Sequence, residues 1–158
     1  MRKFFFGFGI VMAGLIVAGG VGLFILFRNG SALDAESKAY VEDTVVAIGS
    51  DWDADELWKR STPHFRQATR REDLRALFDA ARGALGRFVQ YRGSSGQAMM
   101  SFVNAATSVT ANYDAKATFE KGDVHFLIGM VKSGSEWRVE GFHINSDVLT
   151  KSLVGARS

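Results

Sequence analysis

The chain has 158 residues, of which 47% are hydrophobic and 23% charged, with a formal net charge of +2 and no cysteine. The absence of cysteine excludes disulfides, thiol nucleophiles and cysteine-ligated zinc or iron–sulfur sites. Arg2, Lys3 and Arg28 flank one apolar stretch, so the rest of the chain carries 16 basic and 17 acidic side chains. This balance disfavours nucleic acid as a partner.

The apolar stretch runs from Phe4 to Phe27, which is 24 residues without a charge. As a helix it would be about 36 Å long, enough to span a hydrocarbon core of about 30 Å. Because Arg2 and Lys3 precede it, the positive-inside rule favours a cytoplasmic N-terminus. We therefore expect a single-pass anchor over residues 1–30 in the inner, cytoplasmic membrane, and one periplasmic or extracellular domain over residues 31–158.

The alternative for the same stretch is a secretory signal peptide. Arg2 and Lys3 would then form its basic region, and Gly30-Ser31-Ala32 would offer small residues for cleavage. The apolar region of a signal peptide is about 7–15 residues long. The observed stretch is longer, which favours the anchor.

Small residues recur within the stretch at four-residue spacing. Gly14, Ala18 and Gly22 would share one face of a helix and would allow a second helix to approach closely. We predict a dimer face there. The alternative is that glycine is common in membrane helices, so that such spacing arises without a partner.

Three amphipathic helices are predicted after the anchor from periodicity and capping signals. They are residues 34–48 ended by Gly49, a short helix begun by Asp53 and limited by Pro63, and a helix from Thr69 to Leu85 ended by Gly83 and Gly86.

From Arg87 onward the period changes to two, most clearly between Ser108 and Glu120, where odd positions are apolar and even positions polar. Two-residue turns at Lys121-Gly122 and Gly134-Ser135 would lead into further strands, and Ser94-Ser95-Gly96 reads as a flexible turn between two weaker strands. The predicted fold class is α+β, with helices first and an antiparallel meander after them.

This order of elements carries a family resemblance, together with five local features: Trp52, Trp58, the segment Ser61–Phe65, the Leu85-Gly86 break and the closing segment Glu136–Phe142. Over about residues 34–145 the chain resembles the nuclear transport factor 2-like superfamily, and within it small bacterial domains of unknown function. No catalytic signature is part of the likeness.

The resemblance implies a cone in which a curved sheet wraps around three helices and leaves a pocket. Members of the superfamily include polyketide cyclases and steroid isomerases. Others are non-catalytic, such as the anchored periplasmic domains of type IV secretion assembly proteins. A single anchor followed by one domain is closest in layout to this last group.

The predicted turns place individual side chains on the sheet. They pair Ala117 with Phe126 and Phe126 with His143 on the inner face, and they put Asp114 and His125 on the outer face. The residues that would line a pocket on the inner face are Tyr113, Phe126, Trp137 and His143.

His143 is the weak candidate for acid–base chemistry in that pocket, because histidine titrates near neutral pH. The alternative is a half-buried histidine held by a backbone carbonyl. With no carboxylate placed beside His143, we assign no catalytic residue. The three histidines lack metal-ligand spacing, so we predict neither a metal nor a cofactor.

Charges are distributed unevenly along the domain: residues 34–56 hold eight acidic side chains and one lysine, whereas residues 59–92 hold nine basic and three acidic ones. The two segments either attract each other within the fold or present opposite faces to partners. On the third helix Arg71, Arg75, Asp79 and Arg82 share one side, as a solvated face with an Arg75–Asp79 pair or as a basic patch for an anionic partner or lipid headgroups.

The anchor, the missing catalytic set and the resemblance together lead us to expect a membrane-anchored, non-catalytic module. It would bind another envelope protein or associate with itself as a homodimer. The alternative is a small-ligand or enzymatic pocket between the helices and the inner sheet face, with a ligand that the sequence does not identify.

Overall fold

The computed structural model describes residues 32–156. The chain divides into two units after Ala35, and the second unit begins at Glu36. The elements are α1 (residues 32–51), α2 (Ala54–Arg60), α3 (Pro63–Ala68), α4 (Arg71–Leu85), β1 (Phe88–Val103), β2 (Ala106–Phe119), β3 (Gly122–Ser133), β4 (Glu136–Asn145) and α5 (Asp147–Gly155). The predicted α+β class is confirmed.

The predicted anchor over residues 1–30 lies outside the described residues, and so does the predicted dimer face of Gly14, Ala18 and Gly22. From residue 32 to residue 156, the structure contains no helix whose length and hydropathy would let it cross a bilayer.

The first two helices test the predicted start and stop signals. Asp53 caps α2 as predicted, because its side chain accepts hydrogen bonds from the backbone N–H groups of Asp55 and Glu56. Gly49 does not end α1, which continues to residue 51. Gly49 is buried, and a β-carbon there would lie 3.1 Å from the ring of Phe88. The glycine therefore serves close packing against β1.

Pro63 begins α3, whereas we predicted only that it would limit the length of the preceding helix. It occupies the first turn of α3, where a missing N–H costs nothing. The Thr62 hydroxyl caps that helix by accepting a hydrogen bond from the N–H of Phe65 at 3.1 Å. The prediction of three helices was therefore incomplete, and it also omitted α5.

The four strands form one antiparallel sheet in the order β1-β2-β3-β4, as the predicted meander requires. The predicted turn at Ser94-Ser95-Gly96 is wrong, because these residues stay paired with β2, opposite Ala115, Asp114 and Tyr113. Glycine makes this continuity possible: Gly96 has a φ of +153°, and a β-carbon there would lie 2.0 Å from the carbonyl oxygen of Asn112.

The inner face of β2 is as predicted, but its register with β3 differs by two residues. Ala111, Tyr113, Ala115, Ala117 and Phe119 are all buried. Phe119 pairs with Gly122, so Glu120 and Lys121 form the turn, not Lys121 and Gly122. A shift of two residues keeps every side chain on its predicted face.

The α4–β1 connection holds this turn in place. The backbone N–H of Glu120 donates to the carbonyl of Arg87, and that of Lys121 donates to the carbonyl of Leu85, both at 3.0 Å. The Glu120 carboxylate in turn accepts from the backbone N–H and the guanidinium of Arg87.

The register of β3 with β4 is as predicted only up to the Met130–Val139 pair. Beyond it Gly129 pairs with Gly141, so Glu140 is an extra residue in β4 and forms a bulge. The predicted pairing of His143 with Phe126 is therefore wrong. His143 pairs with Leu127 and points to the outer face.

Contacts from Thr62 and from the first turn of α3 fix the bulge. The Glu140 carboxylate accepts a hydrogen bond from the Thr62 hydroxyl and contacts Nδ1 of His64. The backbone N–H of Thr62 donates to the carbonyl of Val139 at 2.9 Å. The middle of β4 is thus attached to the N-terminal cap of α3.

Aromatic rings fill the space between the helices and the inner face of the sheet. The ring of Trp52 stacks on Phe119 with centroids 4.6 Å apart, and it meets Phe78 edge-on at 6.0 Å. Its indole N–H donates to the carbonyl of Gly86 at 3.0 Å. Phe142, one residue before His143, reaches the same cluster, 5.7 Å from Phe126.

Candidate functional site

The residues predicted to line an inner pocket are separated by the fold. Tyr113 and Phe126 are buried on the inner face. The Tyr113 hydroxyl lies 2.9 Å from that of Ser37 on α1, and the Phe126 ring lies within the aromatic cluster, 6.2 Å from Phe119. Both side chains therefore pack between helices and sheet.

Trp137 is also buried, at the start of β4. Lys132 places its ammonium 5.6 Å from the centre of the indole ring, within the range of a cation–π contact. Nε1 of Trp137 is buried without a hydrogen-bond partner among the described residues. His143, the fourth predicted member, is on the opposite face of the sheet.

The outer face carries a shallow recess around two paired glycines, Gly129 and Gly141. Its volume is about 420 Å³, and its lining includes Asp114 and His143. Asp114 lies on this face as predicted. Its carboxylate is 2.9 Å from Nδ1 of His125 on the neighbouring strand.

A carboxylate can orient an imidazole for proton transfer. Here the side chains of His125 and Asp114 are 40% and 36% exposed. Within residues 32–156 no group of three or more histidine or acidic side chains is arranged to hold a metal ion. The Asp114–His125 pair is therefore solvated, and of its two members only Asp114 lines the recess.

A second depression, of about 570 Å³, lies beside α1 and α2 and contains Arg60 and Tyr40. Burial opposes the charge of Arg60, but hydrogen bonds to Asp43 and Glu56 raise its pKa above the ordinary value. Its guanidinium is also 5.8 Å from the centre of the Tyr40 ring. Burial raises the pKa of Tyr40. The charge of Arg60 is thus already balanced within the fold by Asp43 and Glu56.

The acidic and basic segments predicted from the sequence meet inside the domain. Asp55 accepts hydrogen bonds from Arg71 at 2.8 Å and from Arg75 at 3.0 Å. The Arg71 hydrogen bond is the main reason why the pKa of Asp55 lies below its ordinary value. Arg82 donates to the backbone carbonyl of Asp51. These contacts favour the intramolecular alternative over a free basic patch.

One feature of the edge strand is not explained by the core. We call residues 97–108 the β1–β2 arm. Its last three residue pairs, from Ser101–Ser108 to Val103–Ala106, lie beyond the end of β3, whose pairing with β2 begins at Val109. The arm is therefore a two-stranded ribbon at its tip.

The arm is uncharged and apolar on both faces. No Asp, Glu, Lys or Arg occurs between Gly93 and Tyr113. Its exposed large side chains are Met99 (52%), Met100 (47%), Phe102 (75%) and Val103 (63%). Soluble domains seldom leave such residues clustered without a function. The sequence did contain the signal, as a charge-free run of 21 residues from Gly93 to Tyr113.

The tip of the arm is a tight turn in which Asn104 and Ala105 both have positive φ, at 50° and 63°. Two such residues in a two-residue loop define the type I′ hairpin turn. β1 has β2 on one side and is the edge of the described sheet on the other. The arm therefore carries exposed apolar side chains on a strand at the edge of the described sheet.

Comparisons with protein-family models, with curated proteins and with solved structures find no match for this chain.

Proposed function

We infer that this chain is a membrane-anchored, non-catalytic module that binds protein partners on the outer side of the membrane, and that the β1–β2 arm is its binding element. The proposal rests on one observation. The outer half of β1, from Gly93 to Val103, lies at the edge of the described sheet, carries no charge and exposes large apolar side chains. An edge strand offers backbone donors and acceptors to an added strand, and natural proteins usually block such edges with charges, bulges or covering elements.

The two halves of β1 differ in this respect. The first half contains two register shifts, between Phe88 and Gln90 and between Tyr91 and Gly93, and it carries Arg92. Bulges and charges both hinder edge-to-edge pairing. From Gly93 to Val103 the pairing with β2 is continuous and no charge is present. The outer half therefore lacks the bulges and charges that hinder edge pairing in the first half.

A photo-crosslinking experiment tests the arm as the binding element. A benzoyl-phenylalanine is placed at Phe102 in the full-length chain in its native membranes, and the matched control carries it at Leu127. Leu127 is also exposed, at 42%, but it lies on β3, which has a neighbouring strand on each side. We expect discrete protein adducts from position 102 and none above background from 127. Equal labelling at both positions, or labelling of lipid alone at 102, would refute the proposal.

The anchor and the cone-shaped fold are parts of the same proposal. The charge-free stretch from Phe4 to Phe27 and the basic residues before it support a retained span with the domain outside. Helices followed by four antiparallel strands support the likeness to the nuclear transport factor 2-like superfamily. We expect the chain to resist carbonate extraction, and a reporter that is active only outside the cytoplasm should be active when fused to Ser158. A shortened soluble product would indicate a cleaved signal peptide, and an inactive but stable fusion would reverse the orientation.

A further inference from the structure

We propose that Met99 and Met100 of the β1–β2 arm are a site of oxidative modification, and that their conversion to sulfoxides by hydrogen peroxide blocks protein binding by the arm. This inference rests on the proposed function and adds a chemical control of the same surface. It is carried by the exposure of the two methionines, their position in the sheet and the composition of the segment around them.

The three methionines in the described part of the chain differ in their access to solvent. Met99 and Met100 are 52% and 47% exposed, whereas Met130 is 2% exposed and pairs with the buried Ala111. An oxidant in water reaches an exposed thioether directly, but it reaches a buried one only when the surrounding structure opens. Oxidation should therefore select the two methionines of the arm.

The reaction needs no side chain other than methionine. A lone pair of the sulfur attacks one oxygen of hydrogen peroxide, so that an S–O bond forms while the O–O bond breaks. The proton of the transferred oxygen moves to the leaving hydroxide, which departs as water. The sulfur is oxidised by two electrons and the peroxide is reduced by the same two. Methionine sulfoxide reductases reverse the change.

Both methionines lie where the arm is still part of three paired strands. Met99 pairs with Thr110 and Met100 with Val109, and both of these residues of β2 also pair with β3. Because they are adjacent in a strand, the two methionine side chains point to opposite faces. A sulfoxide at either position therefore extends into solvent from a supported part of the sheet, and we expect it to leave the fold intact.

A sulfoxide changes the property on which binding by the arm depends. Its oxygen makes the side chain polar, whereas a thioether is at most a weak acceptor. No Lys, Arg or His occurs between Gly93 and Tyr113 to donate a hydrogen bond to it. A partner that covers this apolar surface would bury the sulfoxide without a charged donor from the arm, and an unpaired buried acceptor weakens binding.

Peptide mapping by mass spectrometry measures the selectivity of oxidation. The full-length chain in its native membranes is treated with hydrogen peroxide, and the added oxygen is followed over time at each methionine. We expect Met99 and Met100 to be oxidised at least about tenfold faster than Met130. Comparable rates at the three positions would overturn the proposed site.

Photo-crosslinking measures the consequence for binding. In the chain with benzoyl-phenylalanine at Phe102, oxidation of Met99 and Met100 should lower the yield of protein adducts at least about fivefold. Reduction by the two methionine sulfoxide reductases, one for each sulfoxide epimer, should restore the yield. The matched control carries Met99→Leu and Met100→Leu, which keep the apolar volume without an oxidisable sulfur. Its yield should be the same before and after peroxide.

The outcomes separate this inference from the proposed function. If adducts form and persist after Met99 and Met100 are oxidised, the block is overturned and the binding function stands. An equal loss of adducts in the leucine variant, or a lower urea midpoint for unfolding of the oxidised chain, would assign the loss to other damage and would also overturn the block. If no protein adduct forms before oxidation, the proposed function and the block both fail.

Discussion

The alternating faces of β2 make a quantitative prediction for Ala117→Asp. Ala117 is buried, opposite Val124 on β3 and Tyr91 on β1. A carboxylate there has no water and must become protonated. Holding an aspartate neutral at pH 7, about three units above its ordinary pKa, costs about 4 kcal/mol at 1.36 kcal/mol per unit. We therefore expect a loss of about 4 kcal/mol from the free energy of unfolding, before any steric cost.

Urea unfolding of the full-length chain in mild detergent, followed by tryptophan fluorescence, measures this loss. With a slope of about 2 kcal/mol per molar urea, the midpoint should fall by about 2 M at pH 7. The destabilisation should shrink to about 1.5 kcal/mol at pH 5, because protonation is easier there.

Two controls separate charge from size and from position. Ala117→Asn has nearly the same volume without the titration, so its effect should not depend on pH between 5 and 7. Lys116→Asp, one residue earlier, is on the exposed outer face and should change stability by less than about 1 kcal/mol. If Ala117→Asp and Lys116→Asp have equal effects, or if the effect of Ala117→Asp does not vary with pH, the inward placement of Ala117 is refuted.

Three further predictions concern the bulge, an ion pair and the arm. Phe142→Ala should lower the free energy of unfolding by about 2–3 kcal/mol in urea unfolding, and His143→Ala by less than about 0.5 kcal/mol, since the bulge turns only Phe142 inward. The reverse order would indicate that β4 has no bulge at Glu140. The Arg71 hydrogen bond keeps the pKa of Asp55 low, so the stabilisation by this ion pair is present at neutral pH and is lost as the pH falls below about 4. Asp55→Asn should reduce the loss of unfolding free energy at acid pH, and an unchanged loss would contradict the pairing. Ala105→Gly should raise the free energy of unfolding by about 0.5–1 kcal/mol by relieving a positive φ; a loss would show that the turn has another geometry.

Most of the sheet could be predicted because its information is local. The odd positions of β2 alternate with polar ones, and that period alone determines which side chains are buried. An error of two residues in the turn after Phe119 left every face correct. The turn chemistry itself was not predictable, because it depends on hydrogen bonds from Glu120 and Lys121 to the α4–β1 connection.

The orientation of His143 could not be predicted, because its cause is distant in the sequence. The bulge at Glu140 depends on contacts with Thr62 and His64, which lie 78 and 76 residues earlier. No pattern within β4 marks the extra residue. A single inserted residue then reverses the face of every side chain beyond it, so the pocket assignment for His143 failed while Val139 remained correctly placed.

The distribution of apolar residues in the arm differs from that in a strand that covers a core. A strand that covers a core with one face has apolar residues on that face only, as β2 does from Ala111 to Phe119. In the arm Met99 and Met100 are adjacent, lie on opposite faces and are both exposed. Apolar residues on both faces have a physical use when a partner contacts both faces of the arm at once. The pattern therefore favours a partner that encloses the arm over contact through one face of the sheet.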